Sequence, residues 1–376
     1  MAELNQPPFA RRVSFALAMV RELQRRRRQA AAAARGRFKL PPVHHNIPAR
    51  DPSIDLIPPV IDGLRIPARF VASVTLERDQ ENCLRVAGFT PWAGRLPAPQ
   101  RFTAFIRDGG VWHYFHFMEA VIWLLALRRR YLPGAVLERV VFAYPWNNHT
   151  QNNVQKHLLW TLVPGLPIVD SGCVIPMEFT RVLVIDREWQ QTNINKYLES
   201  SLGFAAPAVR DMSARVRRVV RAQMDVNSGG AARILYVRRP PPRCLVAEAE
   251  AELLRVLARF GEVMICDFAA VPWAQQVRLA AAHDVMVGVH GNGLTNALWM
   301  RPGSLLLELF PDGVRHYDYQ LFAELAGLAY AGFSGDRVFA AFSRDGDAHG
   351  HAETKTNPVC AVPPMLPEVL GQHLAR

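Results

Sequence analysis

Apolar residues cluster along this chain in two rhythms. Phe115 to Arg130 is apolar on most sides of a helical turn, which predicts a buried helix. Arg139 to Tyr144 and Arg181 to Asp186 read as buried strands, and Ser213 to Met224 as a basic amphipathic helix. Ser228-Gly229-Gly230 marks a boundary. Beyond it the pattern becomes regular. Strands are expected at Arg233 to Val237, Glu262 to Cys266, Val285 to Val289 and Leu305 to Phe310. Helices are expected between and after them at Ala247 to Phe260, Trp273 to His283, Leu294 to Met300 and Tyr317 to Ala326. Such alternation predicts a parallel sheet covered by helices on both faces. The unbroken run Leu305-Leu306-Leu307 suits a strand buried on both sides. Ligands of such sheets bind beyond the carboxyl ends of the strands, so chemistry is sought there.

Composition narrows the class. Half of the 376 residues are apolar and 20% are charged, which excludes global disorder and allows a sizeable core. The longest apolar run, Val121 to Leu127, is far short of a membrane span. Val13 to Val20 is too short, and too quickly followed by Arg21, to read as a secretory signal. The five cysteines form no C-x-x-C pair and read as free thiols of a reducing compartment, so a cytoplasmic protein is expected. Asn148-His149-Thr150 fits the glycosylation pattern, which has meaning only in a secreted chain.

Charge changes the picture at one end. Residues 1–50 hold eleven Arg or Lys against Glu3 and Glu22, a net +9 of the total +11. The remaining 326 residues are nearly neutral. Phe9, Val13, Leu17 and Val20 fall near one helical face, and Arg21 and Arg25 to Arg28 follow. This pattern predicts peripheral contact of residues 1–40 with an anionic membrane. An Arg-rich organelle presequence is a second reading. Nucleic-acid binding ranks behind both, because no aromatic residues interleave with the arginines. The Pro-rich stretch from Pro41 to Pro67 reads as a linker into the first domain.

The richest chemistry lies at Val285 to Asn296, V-M-V-G-V-H-G-N-G-L-T-N. Gly288, Gly291 and Gly293 stand where a strand ends and a helix begins, which permits a tight turn and close approach of a ligand. Backbone N–H groups at a helix start attract phosphate. His290, Asn292, Thr295 and Asn296 add side-chain donors. A turn that only packs helix on strand would use the same glycines, but its place in a βαβ run favours phosphate binding.

These residues resemble glycosyltransferase family 61, whose pattern runs G-x-H-G-A-G-L-T-N, then P-G-S, then an apolar strand ending E-L-F-P. The chain carries Gly288-Val289-His290-Gly291-Asn292-Gly293-Leu294-Thr295-Asn296, then Pro302-Gly303-Ser304, then Glu308-Leu309-Phe310-Pro311. Tyr236-Val237-Arg238-Arg239 with Arg243, Gln276-Val277, Gly327-Leu328-Ala329-Tyr330, and His116-Phe117 with Glu119 match further family features. The match is dense over residues 233–332 and thin before them. Asn292 stands where the family usually has Ala, and Glu119 follows His116 by three residues where four are expected.

The resemblance implies a GT-B-like α/β fold of two Rossmann-like domains facing a cleft. Its expected divisions are a basic, partly helical tail at 1–50, an acceptor-side domain at 51–228 and a nucleotide-sugar-binding domain at 229–345. Residues 346–376 are expected to pack back on the first domain. The implied activity is inverting transfer from a nucleotide-sugar, usually a UDP-sugar, to a glycan, lipid-linked or protein-linked hydroxyl. Helix N-termini and basic side chains can stabilise the leaving diphosphate without a metal. The donor site is assigned to Arg238, Arg239, Arg243, His290, Gly291, Asn292, Gly293, Leu294, Thr295, Asn296 and Glu308; Glu308 is read as a ribose contact ahead of a structural buried acid. Inversion needs a base for the acceptor hydroxyl. His116 and Glu119 share a helix face, with His113 beside them, and Asp108 before Gly109-Gly110 is a further choice. No cofactor beyond the donor is expected. Asp345-Gly346-Asp347, near His349 and His351, reads as a surface turn in preference to a metal site. A non-catalytic nucleotide-binding scaffold and a tail-driven nucleic-acid-binding protein are the competing functions.

Overall fold

A computed structural model of the chain describes residues 60–61, 64–66, 68–80, 82–92, 101–107, 113–144, 150–173, 175, 177–186, 198–222, 230–339 and 356–375. Several expectations lie outside the described residues: the tail at 1–50 with its membrane, targeting and nucleic-acid readings, Asp108, Asn148, Ser228-Gly229, and Asp345 to Asp347 with His349 and His351.

In the first half, β1 (Val60–Ile61) and β2 (Leu64–Arg65) pair with each other. Six strands make the first sheet: β3 (Ala68–Arg78), β4 (Leu84–Pro91), β5 (Arg101–Arg107), β6 (Val136–Phe142), β7 (Ile168–Asp170) and β8 (Glu178–Asp186), in the order β4-β3-β8-β5-β6-β7. The run from β8 through β5 and β6 to β7 is parallel, while β3 is antiparallel to both its neighbours. Parallel neighbours need a crossover. Helix α1 (Tyr114–Tyr131) supplies it between β5 and β6, and α2 (Thr150–Leu162) between β6 and β7. Helix α3 (Leu198–Val219) follows β8. It begins well before the expected Ser213 and ends before Met224, running through Pro207. Its buried face begins at Phe204, Ala205 and Ala206, so tertiary packing carries the helix past its proline.

The second half alternates as its pattern predicts. The elements are β9 (Ala232–Val237), α4 (Ala247–Leu257), β10 (Gly261–Cys266), α5 (Trp273–Ala282) and β11 (Val285–Val289). There follow a 3-10 helix at Asn292–Trp299, β12 (Leu305–Phe310), α6 (Asp318–Ala326), β13 (Ala329–Ser334) and β14 (Arg337–Phe339). The expected helix Leu294 to Met300 is thus the tighter 3-10 form, starting two residues earlier. Strand order is β10-β9-β11-β12-β13-β14, with only β14 antiparallel. The chain moves one way from β9 to β10 and the other way from β11 onward. That reversal opens a crevice at the carboxyl ends of β9 and β11.

Alternation along these strands divides the core in two. Leu235, Val237, Met286 and Leu306 face α5, α6 and the 3-10 helix, in one hydrophobic cluster with α1, α3 and the first sheet's Phe102, Ala104, Leu183 and Ile185. Residues 51–376 accordingly form one compact unit, joined by a shared core. Ile234, Tyr236, Val285, Leu305 and Leu307 face the other way. Of the crossover helices, α4 lies on that side, and the C-terminal helix α7 (Leu366–Leu374) completes the cover through Leu366 and Leu370. Val359 bridges to Leu245 beside it. Within the C-terminal segment, residues 356–375 therefore pack on the second sheet and not, as expected, on the first domain. The apolar face left by the one-sided crossovers is the physical reason. Among the described residues, no helix is long and apolar enough to cross a membrane.

Candidate active site

The glycine turn sits at the strand-order reversal. Gly291 adopts φ 154° and ψ 173°, a region essentially reserved for glycine. A Cβ there would lie 1.3 Å from Nη1 of Arg239. Arg239 leaves the carboxyl end of β9, crosses the crevice and donates to the His290 carbonyl oxygen. A Cβ on Gly293 would come within 2.9 Å of the Val237 side chain, and one on Gly288 within 2.9 Å of Leu294. Two glycines therefore let the turn press onto β9, and the third makes room for a guanidinium.

Burial, then the neighbouring Arg243, lowers the Arg239 pKa. Two guanidiniums repel each other beside this turn, and an anion there would relieve the repulsion. Arg238 is engaged elsewhere. It pairs with Glu250 of α4, which also accepts from the Tyr236 hydroxyl at 2.9 Å. Leu294, Thr295 and Asn296 are buried. Asn296 donates to Gln276 Oε1 at 3.0 Å and to the Gly293 carbonyl at 3.1 Å, holding the turn from behind.

Behind the turn is a polar cluster in an aromatic frame. His290 Nδ1 lies 2.6 Å from Glu308 Oε1, and the Tyr330 hydroxyl donates to Glu308 Oε2 at 2.6 Å. Glu308 is fully buried. Desolvation pushes its carboxyl up to about 8, only partly countered by the Tyr330 hydrogen bond. Glu308 thus stands behind His290, the place of the buried structural acid that was the second reading of this residue. The His290 ring stacks on Phe310 at 5.3 Å and on His316 at 5.0 Å, with Tyr319 at 5.2 Å. Half-buried Asp318 opens α6, and burial pushes its carboxyl up to about 6. Donor atoms of His290, His316 and Asp318 all lie within 4.8 Å of one another.

Helix α1 brings its face to the same place. His116 Nδ1 lies 3.0 Å from Glu119 Oε2; the His116 side chain is 36% exposed and that of Glu119 is 1% exposed. The Asn292 amide donates to His113 Nδ1 at 2.7 Å, tying the glycine turn to the start of α1. Phe115 packs on Tyr319 and Phe322 of α6 at 5.5 and 4.6 Å. Below them the buried Tyr114 hydroxyl accepts from Trp273 Nε1 at 3.1 Å and Trp299 Nε1 at 3.2 Å. Asp318 senses His290, Glu119, Glu308 and His116 together, so the two expected sides converge on it.

Sequence reasoning brought His116, Glu119, His290 and Glu308 forward but not His316, Asp318 or Tyr319. Tyr330 entered only as part of a pattern. Asp318 and His316 carry no spacing signal of their own. Their one cue is that they lie at or just before the start of a helix that follows a strand ending in the crevice, where ligand-facing residues of such sheets concentrate.

A family model described as Glycosyltransferase 61 matches residues 114–307, more than half of the chain. The match runs from α1 to β12 and takes in His116, Glu119, Arg239 and the whole glycine turn. No curated protein matches the sequence. Among solved structures, the heptosyltransferase TibC in complex with ADP-D-beta-D-heptose is 11% identical. That alignment covers 78% of this chain and 80% of that one, with a TM-score of 0.33. The glycotransferase of kitacinnamycin is 12% identical over 74% of this chain and 95% of that one, with a TM-score of 0.23. Likenesses of this depth carry no argument about the site.

Proposed function

Because the chain belongs to the glycosyltransferase 61 family and is therefore a glycosyltransferase, we propose that it is an inverting enzyme of GT-B type. In this reading it moves a sugar from a nucleotide-sugar, a UDP-sugar first, to a hydroxyl of a glycan, lipid-linked or protein-linked acceptor. One observation carries the donor side: Gly291 turns at the strand-order reversal with Arg239 seated where a side chain would otherwise be, and Arg243 beside it. Backbone N–H groups of the turn and the two guanidiniums form a cradle for a leaving diphosphate. His290 faces the donor, and Glu308 orients its ring.

His116 is the base, positioned by Glu119. The acceptor oxygen bonds to the anomeric carbon from the face opposite the leaving group. The bond from that carbon to the phosphate oxygen breaks, and its electron pair departs with the nucleoside diphosphate. His116 takes the hydroxyl proton. Asn292, bonded to His113, holds the donor turn against the acceptor helix so that both ends of this displacement stay aligned.

His116→Ala separates the two sides. Turnover of a UDP-sugar panel, scored by released UDP with hydroxyl acceptors and with water, is expected to fall by about 10²–10⁴-fold. UDP affinity by calorimetry should stay within about twofold, as for a group that acts on the acceptor. A parallel loss of affinity would remove His116 from the acceptor side. A wild-type protein that binds UDP but turns over nothing in the panel would favour a non-catalytic scaffold.

A further inference from the structure

We propose that His290, His316 and Asp318 form a binding site for a single divalent transition-metal ion, beside the glycine turn. Two imidazoles and one carboxylate make a three-donor set of the kind that binds zinc or iron(II) and leaves coordination positions open. Imidazole donors favour such ions over magnesium or calcium, which take oxygen ligands.

The spacing is compatible with an ion. A triangle of donors 4.8 Å apart has its centre about 2.8 Å from each atom. Each donor then moves inward by roughly 0.7 Å to reach a metal–nitrogen bond of ~2.1 Å. Because 4.8 Å bounds all three separations, the adjustment is no larger than this.

An independent feature stands behind one of the donors. His290 Nδ1 is bonded to Glu308 at 2.6 Å, and Glu308 is fixed by Tyr330. Metal-binding histidines characteristically present the second ring nitrogen to a carboxylate in this way, which sets the tautomer and the ring direction. Binding through His290 Nε2 would keep that bond and place the Nδ1 proton towards Glu308. The scaffold is also rigid on the ligand side. His290 ends β11 and stacks between Phe310 and His316, while Asp318 is held at the first turn of α6. His290 is buried and the other two are half-buried, so protein encloses one side of the site. The inference holds whether or not the donor reading does.

The test uses the full chain, stripped with a chelator and titrated with Co²⁺ by absorption and with Zn²⁺ by calorimetry. One equivalent of either ion is expected. The cobalt complex should show the visible bands of a low-coordinate nitrogen–oxygen site, without a thiolate charge-transfer band. His316→Ala and Asp318→Asn should each weaken binding at least tenfold, with thermal melts recorded to confirm folding. The double variant H349A/H351A should bind as wild type does. Three outcomes overturn the proposal: no binding of either ion, a thiolate band that assigns the ion to cysteine, or affinity unchanged in both His316→Ala and Asp318→Asn.

Discussion

Glu308 shows how far a residue's role departs from its place in a pattern. In the sequence it is an acid near the end of an apolar strand, open to reading as a ribose contact or as a structural buried acid. In the structure it has lost all contact with solvent and bonds His290 and Tyr330. Pattern alone could not show this, because Tyr330 arrives from the neighbouring strand β13 and burial depends on both. The carboxyl sits at about 8 when folded, against an ordinary value of 4.5. A raised folded pKa means the folded chain holds a proton that the unfolded chain releases. The resulting stability is complete below pH 4.5 and is lost as pH rises towards 8. Asp318 acts in the same direction, but only up to about 6. The interval from pH 6.5 to 8.5 therefore isolates Glu308. Wild type should lose about 2 kcal/mol more than Glu308→Gln across it, measured by chemical denaturation at both pH values. Parallel losses in the two proteins would show that Glu308 is already ionised at neutral pH.

Among the elements, legibility followed burial. Strands β11 and β12 were read at their observed ends because every position in them is buried and all but Glu308 are apolar or glycine, a signal that needs no neighbours. Strand β4 was not read, since its positions are mostly exposed or half-buried and blur the alternation. Helix α7 was missed for a different reason. Its apolar positions make sense only against a sheet face that the crossover helices leave partly open, which is a property of the topology. Leu370→Ala tests that role. Leu370 is fully buried among residues of the second sheet and its helices, so the variant should lose about 2–5 kcal/mol in chemical denaturation. A loss under about 0.5 kcal/mol, the range of surface substitutions, would make α7 an appendage and not part of the core.

For the molecule as a whole, the sequence suggested two domains meeting across a cleft, and the structure joins them through shared packing. Helices α1 and α3 lie in one cluster with α5, α6 and the 3-10 helix. No hydropathy pattern reveals this, because a helix apolar on most sides, such as α1, does not announce which neighbours cover it. The same packing explains why residues 116, 119, 290, 308 and 318 converge although more than 150 residues separate the first of them from the third. The glycine turn was the most legible part of the site, since its residues are contiguous. Its partner Arg239 was named among three arginines, and only the geometry distinguishes it from Arg238.

Donor binding at that turn is the claim on which the rest depends. The most direct measurement is a calorimetric titration of wild type and Gly291→Ala with UDP, with GDP and CMP as controls. Wild type should bind UDP in preference to the other two. In Gly291→Ala the new Cβ must displace the Arg239 guanidinium, so UDP affinity should fall by about 10–100-fold, the loss of one or two charge-assisted contacts. Equal UDP affinity in both proteins, or no nucleotide binding by wild type, would contradict the account.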